Sequence, residues 1–394
     1  MRPTPGSAPA TDPTTRLHTP WLIGVLAAGF LSLMGCSNGK PVQGKPGNGK
    51  PAKAPKVQWT ETFAGWGGAR GRCVEQTSDG GYIAVGHTGS RDSTPGRAAL
   101  LVKLNASGDT QWTRAINAYG IGTASAVIQT SDGGYVVAAS GVETDTSPVG
   151  AALIRTDASG NVLWHSYLWH AFSAGAAAVV GLNDTAYTAV IMSVSDSAVI
   201  LWRTDSGGTF RWSRKYAIGY GGAMRDENLS LRRTSDGGCI IGTKTLLKVD
   251  SLGLQTSLKT FGSIMNANSV IQTSDGGYAA TGAKLNYASI YLLRTDANRD
   301  SLWMGTYAPS ECSRGQWVEQ TADGGYIICG TTRPDDGGDK VTLVRTSSDG
   351  TQMWTDTLFA GYGYCVRPTT DGGFVVAGTS GGLFVTKLAP ELKR

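Results

Sequence analysis

The segment Gln76-Thr77-Ser78-Asp79-Gly80-Gly81-Tyr82-Ile83-Ala84-Val85-Gly86 returns along the chain at long, near-regular intervals, and nothing else constrains the fold as strongly. Its Asp-Gly-Gly is found at Asp79, Asp132, Asp236, Asp275, Asp323 and Asp371, and Asp184 marks a decayed copy in Asn183-Asp184-Thr185-Ala186-Tyr187 at the expected interval. Seven units spaced 39 to 53 residues apart follow. A unit of that size cannot bury its own apolar face, so each needs its neighbours, and length alone does not divide the 394 residues into two or three domains.

Each unit reads as four short strands. In the first copy they are Cys73 to Thr77, Tyr82 to His87, Ala98 to Leu104 and Gln111 to Ile116, with turn sequences between them. Asp79-Gly80-Gly81 joins the first two, because Asp bonds its own backbone and Gly accepts positive φ at no steric cost. With 55 Gly, 11 Trp and 16% charged residues, and no helical heptad, the composition suits many strands on tight turns. Four antiparallel strands per unit, seven times over, predict an all-β chain folded as a seven-bladed β-propeller. The seventh copy, Cys365 to Thr369, Phe374 to Thr379 and Leu383 to Leu388, stops without a fourth strand. Val57-Gln58-Trp59-Thr60-Glu61-Thr62-Phe63 matches the missing one, so the N-terminal strand is expected to complete the last blade and close the ring, leaving no open edge.

The recurring aromatics fit packing between blades. Tyr82, Tyr135, Tyr187, Tyr278, Tyr326 and Phe374 hold one position, with Cys239 in the fourth copy; Trp59, Trp112, Trp164, Trp212, Trp303 and Trp354 hold another, with Ser257 in the fourth copy. A belt repeated in nearly every unit is core rather than a sugar or cofactor platform. The fourth copy, shortest and without either aromatic, is expected to be the weakest blade.

The net charge of +5 is a property of the N-terminus. Residues 1–56 carry +6, which leaves −1 on residues 57–394, so no basic footprint for nucleic acid is expected on the folded part. Within residues 1–36, the apolar run Trp21 to Met34 is short for a membrane-spanning helix and ends at Gly35-Cys36. Leu33-Met34-Gly35-Cys36 resembles the lipobox of bacterial lipoproteins. That resemblance implies cleavage before Cys36 and its lipidation, with Ser37 favouring outer-membrane sorting; an uncleaved anchor and an ordinary signal peptide are the alternatives. Residues 37–56, rich in Gly, Pro and Lys, have little to bury and read as a disordered spacer between anchor and propeller, residues 57–394.

Within the propeller, Arg155-Thr156-Asp157-Ala158-Ser159-Gly160-Asn161-Val162-Leu163-Trp164 resembles the tryptophan-docking motif of pyrroloquinoline-quinone-type propellers, including the barrel-assembly lipoprotein of Gram-negative outer membranes. The Gly-to-Trp spacing agrees and the Asp-to-Gly spacing is one residue shorter, so the match is to the packing device. The Thr-Ser-Asp-Gly-Gly-Tyr unit is similar to repeats of secreted bacterial propellers. Both resemblances imply a fold and leave function open, since propellers serve binding, scaffolding and catalysis alike.

Strand alternation places the Asp-Gly-Gly turns on one face and the blade-to-blade loops on the other. The second face is richer, with Trp66, Arg70, Tyr119, Trp169, His170, Tyr220, Arg225, Asp226, Glu227, Glu311, Arg314 and Tyr362 as candidate ligand- or partner-binding residues. On the inner strands, Glu319, Arg367 and Glu75 occupy equivalent positions in units six, seven and one and are expected to alternate in sign along the channel as an ion-pair network. Cys73 and Cys365 also share a position in neighbouring units, where small buried residues are the default and a disulfide the alternative. Asp335-Asp336-Gly337-Gly338-Asp339 is the one acidic cluster and lacks the spacing of a known calcium loop. Four scattered histidines make no zinc site or triad, and neither a phosphate loop nor a nucleophile elbow is present, so no catalytic residue, metal or cofactor is assigned.

The expectation is therefore a lipid-anchored envelope lipoprotein at the outer membrane or cell surface. Its monomeric propeller is expected to bind or scaffold an envelope protein or glycan. The competing expectation is an envelope enzyme, quinone-dependent or glycan-active, with its site at the channel mouth. Asp226, Glu227 and Glu311 are the only acid and base candidates for it.

Overall fold

The computed structural model describes residues 41–43, 53–65, 68–89, 98–117, 121–141, 150–168, 173–181, 185–193, 198–218, 229–261, 264–284, 289–310, 312–335 and 337–391. It is a seven-bladed propeller. Blade one is built from Arg70–Gln76, Tyr82–His87, Ala99–Leu104 and Thr110–Ile116, each strand antiparallel to the next, and blades two to six repeat the order, with one further strand added to blade five. Blade seven takes Tyr362–Pro368, Phe374–Thr379 and Leu383–Leu388 from the C-terminal end and its outer strand, Val57–Phe63, from the N-terminal one. That closing strand pairs antiparallel in the expected register, from Val57 opposite Leu388 to Phe63 opposite Leu383. Pro41–Gln43, within the stretch read as spacer, pairs parallel to the outer strand of blade five, Ser301–Tyr307. Among the described residues no helix is long and apolar enough to cross a membrane; the apolar run 21–34 and Cys36 lie outside them.

The two middle strands of a blade are covered on both faces by neighbouring blades, which explains why Tyr82–His87 and Ala99–Leu104 are buried at every residue. The recurring Trp and Tyr meet across these interfaces. Trp59 of blade seven stands edge-on to Tyr82 of blade one, with ring centroids 5.5 Å apart, and Trp112, Trp164, Trp303 and Trp354 repeat the contact with Tyr135, Tyr187, Tyr326 and Phe374. The same Trp also needs a glycine in the next blade. At Gly160, where φ is +80°, a Cβ would stand 2.9 Å from the Trp112 ring, so the position excludes side chains on both backbone and packing grounds. Blade four breaks the pattern on both sides. Trp212 faces Cys239 in place of a Tyr, and opposite Ser257 the equivalent glycine of blade five is replaced by Arg299, a non-glycine residue with φ of 67°. Its first two strands, Ser230–Arg233 and Cys239–Gly242, are only four residues long.

The Asp-Gly-Gly turns are structural machinery. In blade one, Gly81 N–H and the Thr77 hydroxyl donate to Asp79 Oδ1, and Lys103 from the third strand reaches Asp79 Oδ2 at 2.9 Å. The pairing recurs as Arg155–Asp132, Lys248–Asp236, Arg294–Asp275, Arg345–Asp323 and Lys387–Asp371. Gln129 of blade two then accepts a hydrogen bond from Ser78 N–H of blade one at 2.8 Å, and Gln272, Gln320 and Gln76 bridge other blade pairs in the same way. The Thr, Asp, Gly and Gln of the repeat thus join strand to strand and blade to blade.

These turns give the ring an acid-sensitive element. Burial works against the ionised form of Asp79 and Asp236, but bonds from Thr, Lys and Gly N–H outweigh it and bring both carboxyls down to about 2. A carboxyl lowered on folding contributes stability above its unfolded value of about 4, lost as pH falls through the folded value. The Tm is therefore expected to drop between about pH 4 and 2. In Asp79→Asn it should start lower and fall less over that window. The carboxylates are 53% and 60% exposed, so the effect per turn is small. An identical fall in both proteins would sink the assignment.

Candidate functional site in the channel

Four residues before each repeat Asp, on the innermost strands, blades one to seven present Glu75, Ile128, Val180, Arg232, Ile271, Glu319 and Arg367. The expected alternation at the closure is present. Arg367 of blade seven pairs with Glu75 of blade one through Nη2 and with Glu319 of blade six through Nη1. The structure adds a fourth member: Arg232 of blade four reaches Glu319 Oε1 with its Nη2 at 2.7 Å. The result is a chain Glu75–Arg367–Glu319–Arg232 whose formal charges cancel.

Trp317, two residues before Glu319 on the same strand, completes it. Its Nε1 donates to Glu319 Oε1 at 2.9 Å, and the Arg232 and Arg367 guanidinium carbons lie 4.5 and 4.8 Å from its ring centroid. Sequence reasoning passed over Trp317, although a signal was there. The position six before the repeat Asp holds Cys73, Ala126, Ala178, Ser230, Ser269 and Cys365 in the other units, and blade six alone has a large ring. The four charged side chains are 15 to 23% exposed. Burial pushes the Glu75 carboxyl up against the pull of Arg367 and Arg232. Burial, then the like charge of Arg367, hold Arg232 below its ordinary value.

Beside this chain lies a cavity of about 250 Å³. Blades two and three line it with apolar side chains, Ile128 and Val180 among them, while Glu75, Arg367, Trp317 and Arg232 line it from blades one, seven, six and four. Cys73 and Cys365 sit behind the closure as thiols, with Sγ atoms 3.8 Å apart and Cys365 Sγ accepting from Val74 N–H at 3.4 Å.

On the face with the blade-to-blade loops, the structure describes three of the candidate residues. Arg70 begins the inner strand of blade one and is exposed. Arg314 lies on the inner strand of blade six, Cys312–Gln320. Tyr362 hydrogen-bonds Asp339, which raises the Tyr362 hydroxyl above its ordinary value, and it stacks on Tyr364 with centroids 6.3 Å apart. Arg72 stands 4.9 Å over the Tyr364 ring. Arg314 and Tyr362 are thus close enough to act on each other's charge, and Arg70 begins the inner strand of the next blade. Trp66, Tyr119, Trp169, His170, Tyr220, Arg225, Asp226, Glu227 and Glu311 lie outside the described residues. Of the acidic loop, Asp339 is held by Arg333 in a two-pronged pair at 3.0 and 2.9 Å, and Asp336 lies outside the described residues. Among the described residues no cluster of His, Cys, Asp and Glu has the arrangement of a metal site.

No protein-family model and no curated protein matches the sequence. Solved structures do match in shape. The WD40 β-propeller domain of Doa1 is 14% identical, with a TM-score of 0.55 over 84% of this chain and 96% of that one. YCF48 from Cyanidioschyzon merolae is 14% identical, with a TM-score of 0.53 over 86% of this chain and 100% of that one. BBS1N, in its complex with ARL6DN, is 11% identical, with a TM-score of 0.53 over 87% and 99%. The likeness is one of fold. At such identities it carries the seven-bladed architecture and no residue-level role.

Proposed function

We propose that the protein is a lipid-anchored lipoprotein of the bacterial cell envelope, at the outer membrane or cell surface, whose propeller is a non-catalytic binding or scaffolding module for an envelope protein or glycan. In this reading residues 1–36 are the signal peptide ending at the lipidated Cys36, residues 37–56 the spacer, and the ring a relative of the secreted bacterial propellers with pyrroloquinoline-quinone-type repeats. The observation that carries the non-catalytic reading is the channel itself. Each of its four charged side chains faces an opposite charge, and Glu319 accepts from Arg232, Arg367 and Trp317 together, an arrangement that fixes strands rather than frees an acid or base. Rigid rings with irregular loops on one face are well suited to holding partners. A propeller of the same fold, BBS1N, is seen in complex with a protein partner. Arg70, Arg314 and Tyr362 are the described part of the binding face.

Metabolic labelling with an alkyne-tagged fatty acid is the direct test of the anchor. The full chain is expected to take the label and sediment with membranes, and Cys36→Ala to do neither; an unlabelled wild type overturns the anchor. A photoreactive residue at position 70 is expected to cross-link an envelope component, and one at position 106 on the opposite face to give none. Equal capture from both positions overturns the assignment of the face.

A further inference from the structure

We propose that the channel cavity is a binding site for a small zwitterion with an apolar body, of the size and chemistry of a free aliphatic amino acid. The ring order makes the argument. Going round from blade one to blade four, the cavity wall runs Glu75, Ile128, Val180, Arg232: a carboxylate, two aliphatic side chains, a guanidinium. Glu75 and Arg232 attract one another electrostatically, yet no hydrogen bond joins them among the described residues.

Each also keeps bonding capacity. Among the described residues Glu75 accepts at Oε1, from Arg367, and Arg232 donates from Nη2, to Glu319, which leaves Oε2 of the one and Nε and Nη1 of the other to face a ligand. One acceptor on one flank and two donors on the other match an ammonium and a carboxylate carried on one carbon, with the side chain of that carbon directed to the apolar wall. Trp317 and Arg367 fix the two poles from behind, since Arg232 is held over the indole and Glu75 is held by Arg367. The apolar wall between them takes the ligand's side chain. A volume of about 250 Å³ falls just below the range of drug-sized pockets and suits a ligand of amino-acid size. A simple cation would meet Arg232, Arg233 and Arg367, which line the cavity with Glu75, and a simple anion would leave Glu75 without an ammonium partner, so a molecule with both poles uses the lining best.

The site lies inside the channel, apart from the loop face and the lipid anchor, and its failure would leave both of those untouched. The test is isothermal titration of the full chain with L-leucine, glycine, 4-methylpentanoate and 3-methylbutylamine. L-leucine is expected to bind one to one, each of the other three at least about tenfold more weakly, because each lacks the body or one pole. Arg232→Gln is expected to weaken L-leucine by about tenfold or more and to tighten 3-methylbutylamine, which loses the like charge it meets, a pattern that general loss of structure would not give. Val180→Trp, which fills the cavity without touching a charge, is expected to abolish L-leucine binding while the chain still melts cooperatively. No saturable heat with L-leucine up to about 10 mM, or equal affinity for all four compounds, overturns the proposal.

Discussion

Replacing Glu319 by Gln is expected to cost the fold about 3 to 5 kcal/mol. Glu319 ties blades four, six and seven together by charge, through Arg232, its own strand and Arg367. Two guanidiniums that are 16 and 18% exposed would lose their shared counter-charge while staying under the Trp317 ring. A desolvated charge without its partner is what makes such a truncation expensive, far more than the lost bond itself. Arg232→Gln is expected to cost less, since Glu319 keeps Arg367 and Trp317. The double variant should then be less damaged than the two losses added together, because the second substitution removes one of the stranded charges. Urea unfolding of the four proteins reads all of this. A Glu319→Gln loss below about 1 kcal/mol would mean that the channel is wet enough to screen the network.

Trp112→Ala is expected to cost about 3 to 5 kcal/mol, and Trp212→Ala about 1 kcal/mol less, although the two hold the same place in their blades. Both rings cover a glycine of the next blade, Gly160 and Gly253. Each ring carries a guanidinium from its own strand, Arg114 and Arg214, and Trp212 has Arg203 besides; of the two, Trp112 has an aromatic partner, Tyr135, at 6.0 Å and 64°, where Trp212 has Cys239. An edge-to-face pair adds about 0.5 to 1.5 kcal/mol beyond its area, which sets the expected gap. Equal losses at the two sites would show that the Trp-on-glycine contact accounts for the whole interface.

Much of the site around the closure was legible because equivalent positions in consecutive units must be neighbours once the ring is closed. That reasoning places Glu319, Arg367 and Glu75 side by side, and Cys73 against Cys365, with no knowledge of coordinates. It says nothing about contacts across the channel. Arg232 stands two blades from Glu319, and whether it reaches depends on the ring's inner diameter and on the length of an arginine. Trp317 escaped notice for a related reason: in a unit-by-unit reading it is one departure from a small-residue position, and only the assembled channel shows that it fills space beneath two guanidiniums. The link between Ser257 and Arg299 was hidden likewise, since the packed Trp and its glycine belong to different units.

The sequence by itself determined the repeat, the number of blades, the closing strand and the aromatic layer between blades, because all of these follow from local strand and turn chemistry iterated at a fixed period. The tertiary structure alone decided which charges meet over the channel, that they cancel, and that an apolar wall faces them across a cavity. Those depend on side chains from blades far apart in sequence converging on one axis, and no periodicity along the chain encodes the distance across it.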